Sequence, residues 1–365
     1  FVKFIERKSK LLKAIILVLC IVSFLAVVGQ YAILLNHYGG FYSLLTSLGS
    51  VRYDYATSRL NFGILDYIAM LPFVATIFGG CYSGVTKKRS VISYLPLFVI
   101  LTWAIPITAR MNILWGFLLF FNAFALSRIF AGRSILKLTR YNVLVILGIV
   151  ILLTIIFNLF WLGRMGKGEY SLFVEVANPK FVSAKEALVG DSAISQLFFG
   201  NLISNYAYST LYLAHMNFYL HETRLYEDKM NKSLTGVGSF AAAWRLMRKI
   251  GLIEVEDPLI GGGGIPWPEI PTGPKTYISE IYYDFGLMGI VLFPYLLGSI
   301  TSFLFFSTLK KPRFVKMCVL VILYLFIQMS WFGSIFNHTA PVVCLLISLL
   351  IAAYLDVYNP KISNI

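Results

Sequence analysis

The side chains best suited to chemistry gather in one polar stretch, residues 163–285. Within it, SFAAAWRLMRKI at 239–250 carries Arg245, Arg248 and Lys249 three or four apart, a spacing that puts them on one helix face. Ser239 fits the N-cap and Gly251 the stop, with Phe240, Ala243, Met247 and Ile250 as the apolar stripe. Such a face suits a pyrophosphate, because a guanidinium fork binds phosphate oxygens in pairs. It equally suits an interfacial helix resting on lipid headgroups. His215 and His221 are six apart, so they do not form an i, i+4 metal pair. The acids of EVED at 254–257 read as a solvated turn. GGGGIPWPEIPTGP at 261–274 is a turn-rich loop, and GPKT at 273–276 lacks the Walker frame. Neither a nucleotide site nor a metal cluster is expected, and no cofactor.

The elements that must position these residues are apolar. The chain has 365 residues, 58% hydrophobic, 16% aromatic and 13% charged, about half the charge of a soluble domain. Stretches of about 20 apolar residues recur, long enough to cross a bilayer. Eight spans are expected, at 12–35, 64–84, 90–107, 112–131, 142–162, 286–308, 317–335 and 340–357. The first carries no cleavage-site pattern and reads as a span that stays. Cys20, Cys81, Cys318 and Cys344 lie in or beside apolar runs and read as small fillers, not a disulfide framework.

Charge sets the topology. The net charge of +14 comes from 31 basic and 17 acidic residues, a balance that could suggest nucleic acid. Its distribution excludes that partner. Seventeen basic residues fall before the first span and at alternate connections after it, in clusters such as Lys87–Arg89 and Lys310–Lys316. The positive-inside rule makes that side cytoplasmic. Segment 163–285 holds 13 of the acids against 11 basic residues, and long loops translocate largely regardless of charge. The expected fold class is an all-α integral membrane protein, a polytopic bundle with one large extracytoplasmic loop. Its parts are an N-terminal bundle at 1–162, the loop at 163–285 and a C-terminal bundle at 286–365. Residues 193–219 are apolar but interrupted by Asn201, Asn205 and His215. They read as a re-entrant or interfacial helix pair. A single extra crossing there would move Lys310–Lys316 to the wrong side. Asp66 is the main ionisable residue inside a span, which weakens any ion-pathway reading.

TGPKTYISEIYYDFGLMG at 272–289 resembles a signature of Wzy-type O-antigen and capsule repeat-unit polymerases. In that family a polar turn and a Thr-Tyr pair, here Thr276 and Tyr277, precede a helix. The helix ends Tyr-x-Asp-Phe-Gly-x-x-Gly, here Tyr282, Tyr283, Asp284, Phe285, Gly286 and Gly289. Lys275 stands where many members carry Asn. More loosely, 236–252 is similar to the family's loop helix, 205–222 to its aromatic segment, and TARMN at 108–112 to its arginine at the outer membrane edge.

The resemblance implies a C-type membrane glycosyltransferase fold in the bacterial cytoplasmic membrane. Its implied substrate is undecaprenyl-pyrophosphate-linked oligosaccharide, joined unit to unit outside the membrane, without nucleotide sugar. The bilayer is its medium, and a chain-length regulator and a flippase are its implied partners. Glycosyl transfer from a pyrophosphate needs cations at the leaving oxygen and a base at the acceptor hydroxyl. Arg110, at the outer end of the third span, is the first leaving-group candidate, with a snorkelling anchor as its plain alternative. Arg164 follows, then Arg245 and Arg248, then Arg224. His221, beside Glu222 and Arg224, and Asp284, where the loop re-enters the membrane, are the base candidates, with His338 behind them. A surface histidine and a helix-capping carboxylate are the plain alternatives. Lys275, Thr276 and Tyr283 are substrate-binding candidates through the signature alone. The rival functions are an O-antigen ligase, which takes the same donor to another acceptor, and a flippase or other transporter.

Overall fold

The computed structural model describes residues 1–46, 51, 54, 60–86, 90–105, 110–135, 247, 251, 252, 277–330 and 339–357. Among them every regular element is a helix. The main elements are α1 (Val2–Arg7), α2 (Ser9–Tyr38), α3 (Phe41–Thr46), α4 (Ile64–Ala69) and α5 (Leu71–Val85). After a short turn at Val91–Ser93 come α6 (Leu95–Ala104), α7 (Arg110–Phe130), α8 (Tyr277–Lys310), α9 (Phe314–Met329) and α10 (Thr339–Val357). Four helical stretches are long and apolar enough to cross a membrane: Ser9–Tyr38, Ile64–Val85, Met111–Phe130 and Asp284–Lys310. Leu95–Ala104, Phe314–Met329 and Val342–Val357 are apolar but shorter. These seven fall on seven of the eight expected spans, and 142–162 lies outside the described residues.

The boundaries differ from the expected ones for local reasons. α2 runs 30 residues and stops at Gly39, whose φ of 75° is the left-handed cap that glycine supplies. The second span is two helices meeting at Met70, with Pro72 in the first turn of α5; proline lacks the N–H a continuous helix would use there. In the third, the α-helix among the described residues is ten residues long, again opened by a proline, Pro96.

α5 is the axis of the bundle. Thirteen of its 15 residues are buried, and it packs on α1, α2, α6, α7 and α10. Its glycines make that possible. A Cβ on Gly84 would stand 2.6 Å from the Phe124 carbonyl oxygen and 2.8 Å from the Ser127 Cβ, and one on Gly80 would stand 2.7 Å from the Ala123 Cβ. Small residues four apart on α5 thus meet small residues four apart on α7, the arrangement that lets membrane helices approach backbone to backbone. Gly79 faces Ser93 in the same way, its Cβ position 2.5 Å from that carbonyl oxygen. Phe73 then sits edge-on to Trp103 and Trp115, with ring centroids 6.1 and 6.4 Å away.

The described basic clusters collect at one end. Phe1 packs on Phe130 at 5.5 Å, Phe130 on Phe305 at 5.2 Å and Phe4 on Phe314 at 5.0 Å. Arg133 donates to the Val85 carbonyl, and Lys13 lies 5.3 Å from the Tyr82 ring centroid. The start of α1, the ends of α5, α7, α8 and α10, and the start of α9 therefore share one end of the bundle. Arg128, Arg133, Lys310, Lys311, Arg313 and Lys316 all belong to it. Of the basic clusters read from the sequence, Lys87–Arg89, Lys137, Arg140 and Lys361 lie outside the described residues.

Asp356 ties this end together. Its carboxylate accepts the Phe314 and Val315 N–H groups at 2.7 and 3.1 Å. It caps α9 from another helix, since the N-cap residue Arg313 makes no side-chain cap of its own. Lys8, buried between α1 and α2, donates to the Leu355 carbonyl. Burial lowers its pKa, and the Asp356 charge opposes that shift.

Two stability outcomes follow, both read as thermal unfolding midpoints in detergent. Gly84→Val should destabilise by about 1–3 kcal/mol, the usual cost of overpacking. Gly29→Ala, whose Cβ would meet Leu65 at an ordinary 3.4 Å, should change little. Asp356→Ala should cost about 1–2 kcal/mol through the lost cap, and adding Lys8→Met should return part of that loss by removing a buried cation without its counter-charge.

Candidate functional site at the break in α8

α8 is two helices joined at Gly286, whose φ of 63° and ψ of −157° are not helical. That region of backbone space is open almost only to glycine. The chain folds sharply there. In a continuous helix residues eight apart are separated by about 12 Å along the axis. Here a Cβ on Gly289 would stand 3.2 Å from the Ile281 carbonyl oxygen and 2.7 Å from its Cγ2. The Phe285 and Phe293 rings, also eight apart, stack at 5.3 Å. The segment Tyr277–Phe285 therefore lies against the first turns of Leu287–Lys310. The two glycines of the signature have distinct tasks: Gly286 makes the turn, and Gly289 leaves room for Ile281.

Asp284 sits in the last turn before the break and is 1% exposed. Ile281, one turn earlier, is equally buried in the main core. A carboxylate is almost never so buried unless it is paired, and Asp284 does make a polar or electrostatic interaction. The far end of α8, at Lys310, belongs to the basic end of the bundle. Asp284 therefore lies in the opposite half. Arg110 does too, as the first residue of α7, whose last residue Phe130 is at the basic end. The N-terminus of α7 contributes partial positive charge at that position.

Of the ten site residues expected from the sequence, three have a described backbone: Arg110, Tyr283 and Asp284. Only Asp284 has a described side chain. Arg164, His221, Arg224, Arg245, Arg248, Lys275 and Thr276 lie outside the described residues, as does His338. No distance joins Arg110 to Asp284; what they share is the same half of the bundle.

The same half holds polar pairs that sequence reasoning did not find. Gln30 donates to Asp66 at 2.9 Å, Tyr38 to Asp54 at 2.7 Å, and Tyr31 to the Thr102 carbonyl at 3.0 Å. Asp66 thus works as a link between α2 and α4. Asn122 and Gln328 exchange two amide hydrogen bonds, at 2.8 and 3.0 Å, joining α7 to α9. Reciprocal amide pairs of this kind hold membrane helices together. No spacing rule announces them, because the partners are 206 residues apart. Among the described residues no group of His, Cys, Asp and Glu could hold a metal ion, and all four cysteines are free and buried.

No family model, curated protein or solved structure matches this chain significantly.

Gly286→Ala should destabilise by about 1–3 kcal/mol through backbone strain, since among the described residues a Cβ there would meet nothing within 4 Å. Gly289→Ala should lose stability through collision with Ile281 and Phe285. Combining Gly289→Ala with Ile281→Ala should recover part of that loss, whereas Ile281→Ala should not rescue Gly286→Ala. Thermal unfolding of the five variants checks this.

Proposed function

We propose that this chain is a membrane glycosyltransferase that polymerises undecaprenyl-pyrophosphate-linked oligosaccharide repeat units at the outer face of the bacterial cytoplasmic membrane. The observation that carries this reading is the buried carboxylate of Asp284 immediately before the Gly286 break. The signature Asp-Phe-Gly-x-x-Gly is the part of the sequence that resembles such polymerases, and in this chain every glycine of it has a physical task.

The chemistry asks for two things. An acceptor hydroxyl of the incoming unit attacks the anomeric carbon at the reducing end of the growing glycan. A C–O bond forms, and the C–O bond to pyrophosphate breaks. The hydroxyl proton passes to a base, either Asp284 or His221. The electron pair leaves with the pyrophosphate, whose charge is met by Arg110 at the head of α7, where guanidinium and helix dipole act in the same sense. Arg164, Arg245 and Arg248 of the loop, and then Arg224, are the further candidate cations for the donor. Lys275, Thr276 and Tyr283 are the substrate-binding candidates through the signature alone.

The experiment is a gel of surface glycan from a deletion strain restored with Arg110→Ala, Asp284→Asn or the unaltered gene, with protein level measured alongside. Each variant should leave single repeat units on the anchor and reduce polymer by at least about 100-fold, the typical scale for loss of a charge-stabilising group or a general base. Normal polymer from both variants would remove these residues from the site. A deletion that leaves no attached repeat, with polymer accumulating on its lipid carrier, would assign the chain to ligation instead.

A further inference from the structure

We propose that the basic end of the bundle binds the headgroup of an anionic phospholipid, with Lys3, Arg7 and Arg313 holding its phosphates. The proposal is independent of the activity proposed above. It begins with the docking of α1. Phe1, Phe4, Ile5 and Lys8 recur at helical spacing and so share one face, and the bundle takes that face. Ile5 is fully buried, the Phe4 ring packs on Phe314 at 5.0 Å and the Phe1 ring on Phe130 at 5.5 Å. The Lys8 ammonium donates to the Leu355 carbonyl and lies 5.2 Å from the Phe4 ring centroid. Docking by this face turns Lys3 and Arg7, four apart on the opposite one, away from the core, and both are exposed. Arg313 immediately precedes Phe314, so the Phe4–Phe314 contact sets the start of α9 beside Lys3.

Charge decides what these side chains meet. Among the described residues this end carries eleven basic residues against two acids, Glu6 and Asp356. Five of the cations have partners inside the fold: Lys8 on Leu355, Lys13 over Tyr82, Arg128 on the Ser134 carbonyl, Arg133 on the Val85 carbonyl and Lys316 on Ser307. Asp356 is engaged by the first N–H groups of α9, so the site is one of side chains. Lys3, Arg7, Lys10, Lys310, Lys311 and Arg313 remain, each exposed and, among the described residues, without a hydrogen bond or ion pair. Lys310 and Lys311 sit at the C-terminus of α8, where the helix dipole favours cations. Arg313 has no such reason. It is the N-cap residue of α9, at the helix end where the dipole disfavours a cation. Cations gathered against one another and against a dipole are compensated most directly by an anion from outside the chain. The membrane supplies one. Ser9 opens and Lys310 closes apolar stretches long enough to cross a bilayer, which puts the cluster at the level of lipid phosphates. Basic clusters beside membrane helices attract anionic lipid, and a guanidinium fork takes phosphate oxygens in pairs.

The test uses the full chain purified in detergent and supplied with phosphatidylcholine, phosphatidylglycerol or cardiolipin, read by native mass spectrometry and by the unfolding midpoint. Retained lipid and a raised midpoint are expected with phosphatidylglycerol, more so with the two phosphates of cardiolipin, and not with zwitterionic phosphatidylcholine. The triple variant Lys3→Gln, Arg7→Gln, Arg313→Gln should bind the anionic lipids at least about 10-fold more weakly, while unfolding like the unaltered chain in phosphatidylcholine alone. Unchanged binding by this variant would overturn the proposal and leave the three residues as topology signals, as would equal stabilisation by all three lipids. Anionic-lipid binding by the unaltered chain should weaken as salt is raised to about 0.5 M. That measurement decides even where the triple variant fails to insert: binding indifferent to salt would overturn the proposal. Displacement of the lipid by inorganic pyrophosphate at comparable concentration would make this a site for a free phosphate and overturn it as well.

Discussion

Gly80 and Gly84 let the α5 backbone touch the α7 backbone, and the rest of the bundle follows from that contact. In a bilayer the hydrophobic effect does not drive helices together, because lipid is as apolar as leucine. Association has to come from close packing and from polar bonds. The two glycines, opposed by Ala123 and Ser127, provide the first. Once α5 and α7 are joined, α5 has α2 and α6 on its other sides and α10 beside it. Phe73 packs edge-on against Trp103 and Trp115 beside this contact. The second contribution, from polar bonds, comes from groups that are mostly buried: Asn122 with Gln328, Gln30 with Asp66, Ser23 with the Ala69 carbonyl. Each pair joins neighbouring helices rather than lining a path through the bundle.

The two ends of the bundle are chemically different. One end gathers the lysines and arginines and contains a carboxylate, Asp356, that caps α9 and faces Lys8. The other holds Asp54, Asp66 and Asp284, each in polar or electrostatic contact. A cation-rich end and a carboxylate-bearing end make the bundle chemically unlike at its two ends. They also put the break in α8 on the side away from the lysines.

How much of this was legible in the sequence depended on range. Uncharged runs and basic clusters are local, and they located seven helices and the shared end of the basic residues. Caps and kinks at Gly39, Pro72 and Pro96 are also local, but a hydropathy run does not register them, so one continuous span at 64–84 was expected where two helices meet at Met70. Lys8 and Asp356, or Asn122 and Gln328, are far apart in the chain, and only the folded bundle brings them together. The signature at 284–289 was legible as a resemblance; the reason for its two glycines became visible only with the backbone. The stretches 193–219 and 239–250, on which the sequence reading placed a helix pair and a cationic face, lie almost wholly outside the described residues.

The turn at Gly286 has a handedness. Its φ of 63° and ψ of −157° are the mirror image of the extended polyproline basin that ordinary L-residues occupy with ease. Among the described residues no neighbour crowds the position. What it refuses is therefore not bulk but chirality: a D-alanine incorporated there would sit in its own comfortable basin, while its L-twin would not. Selection among the twenty encoded residues can meet such a demand only with the one that has no hand.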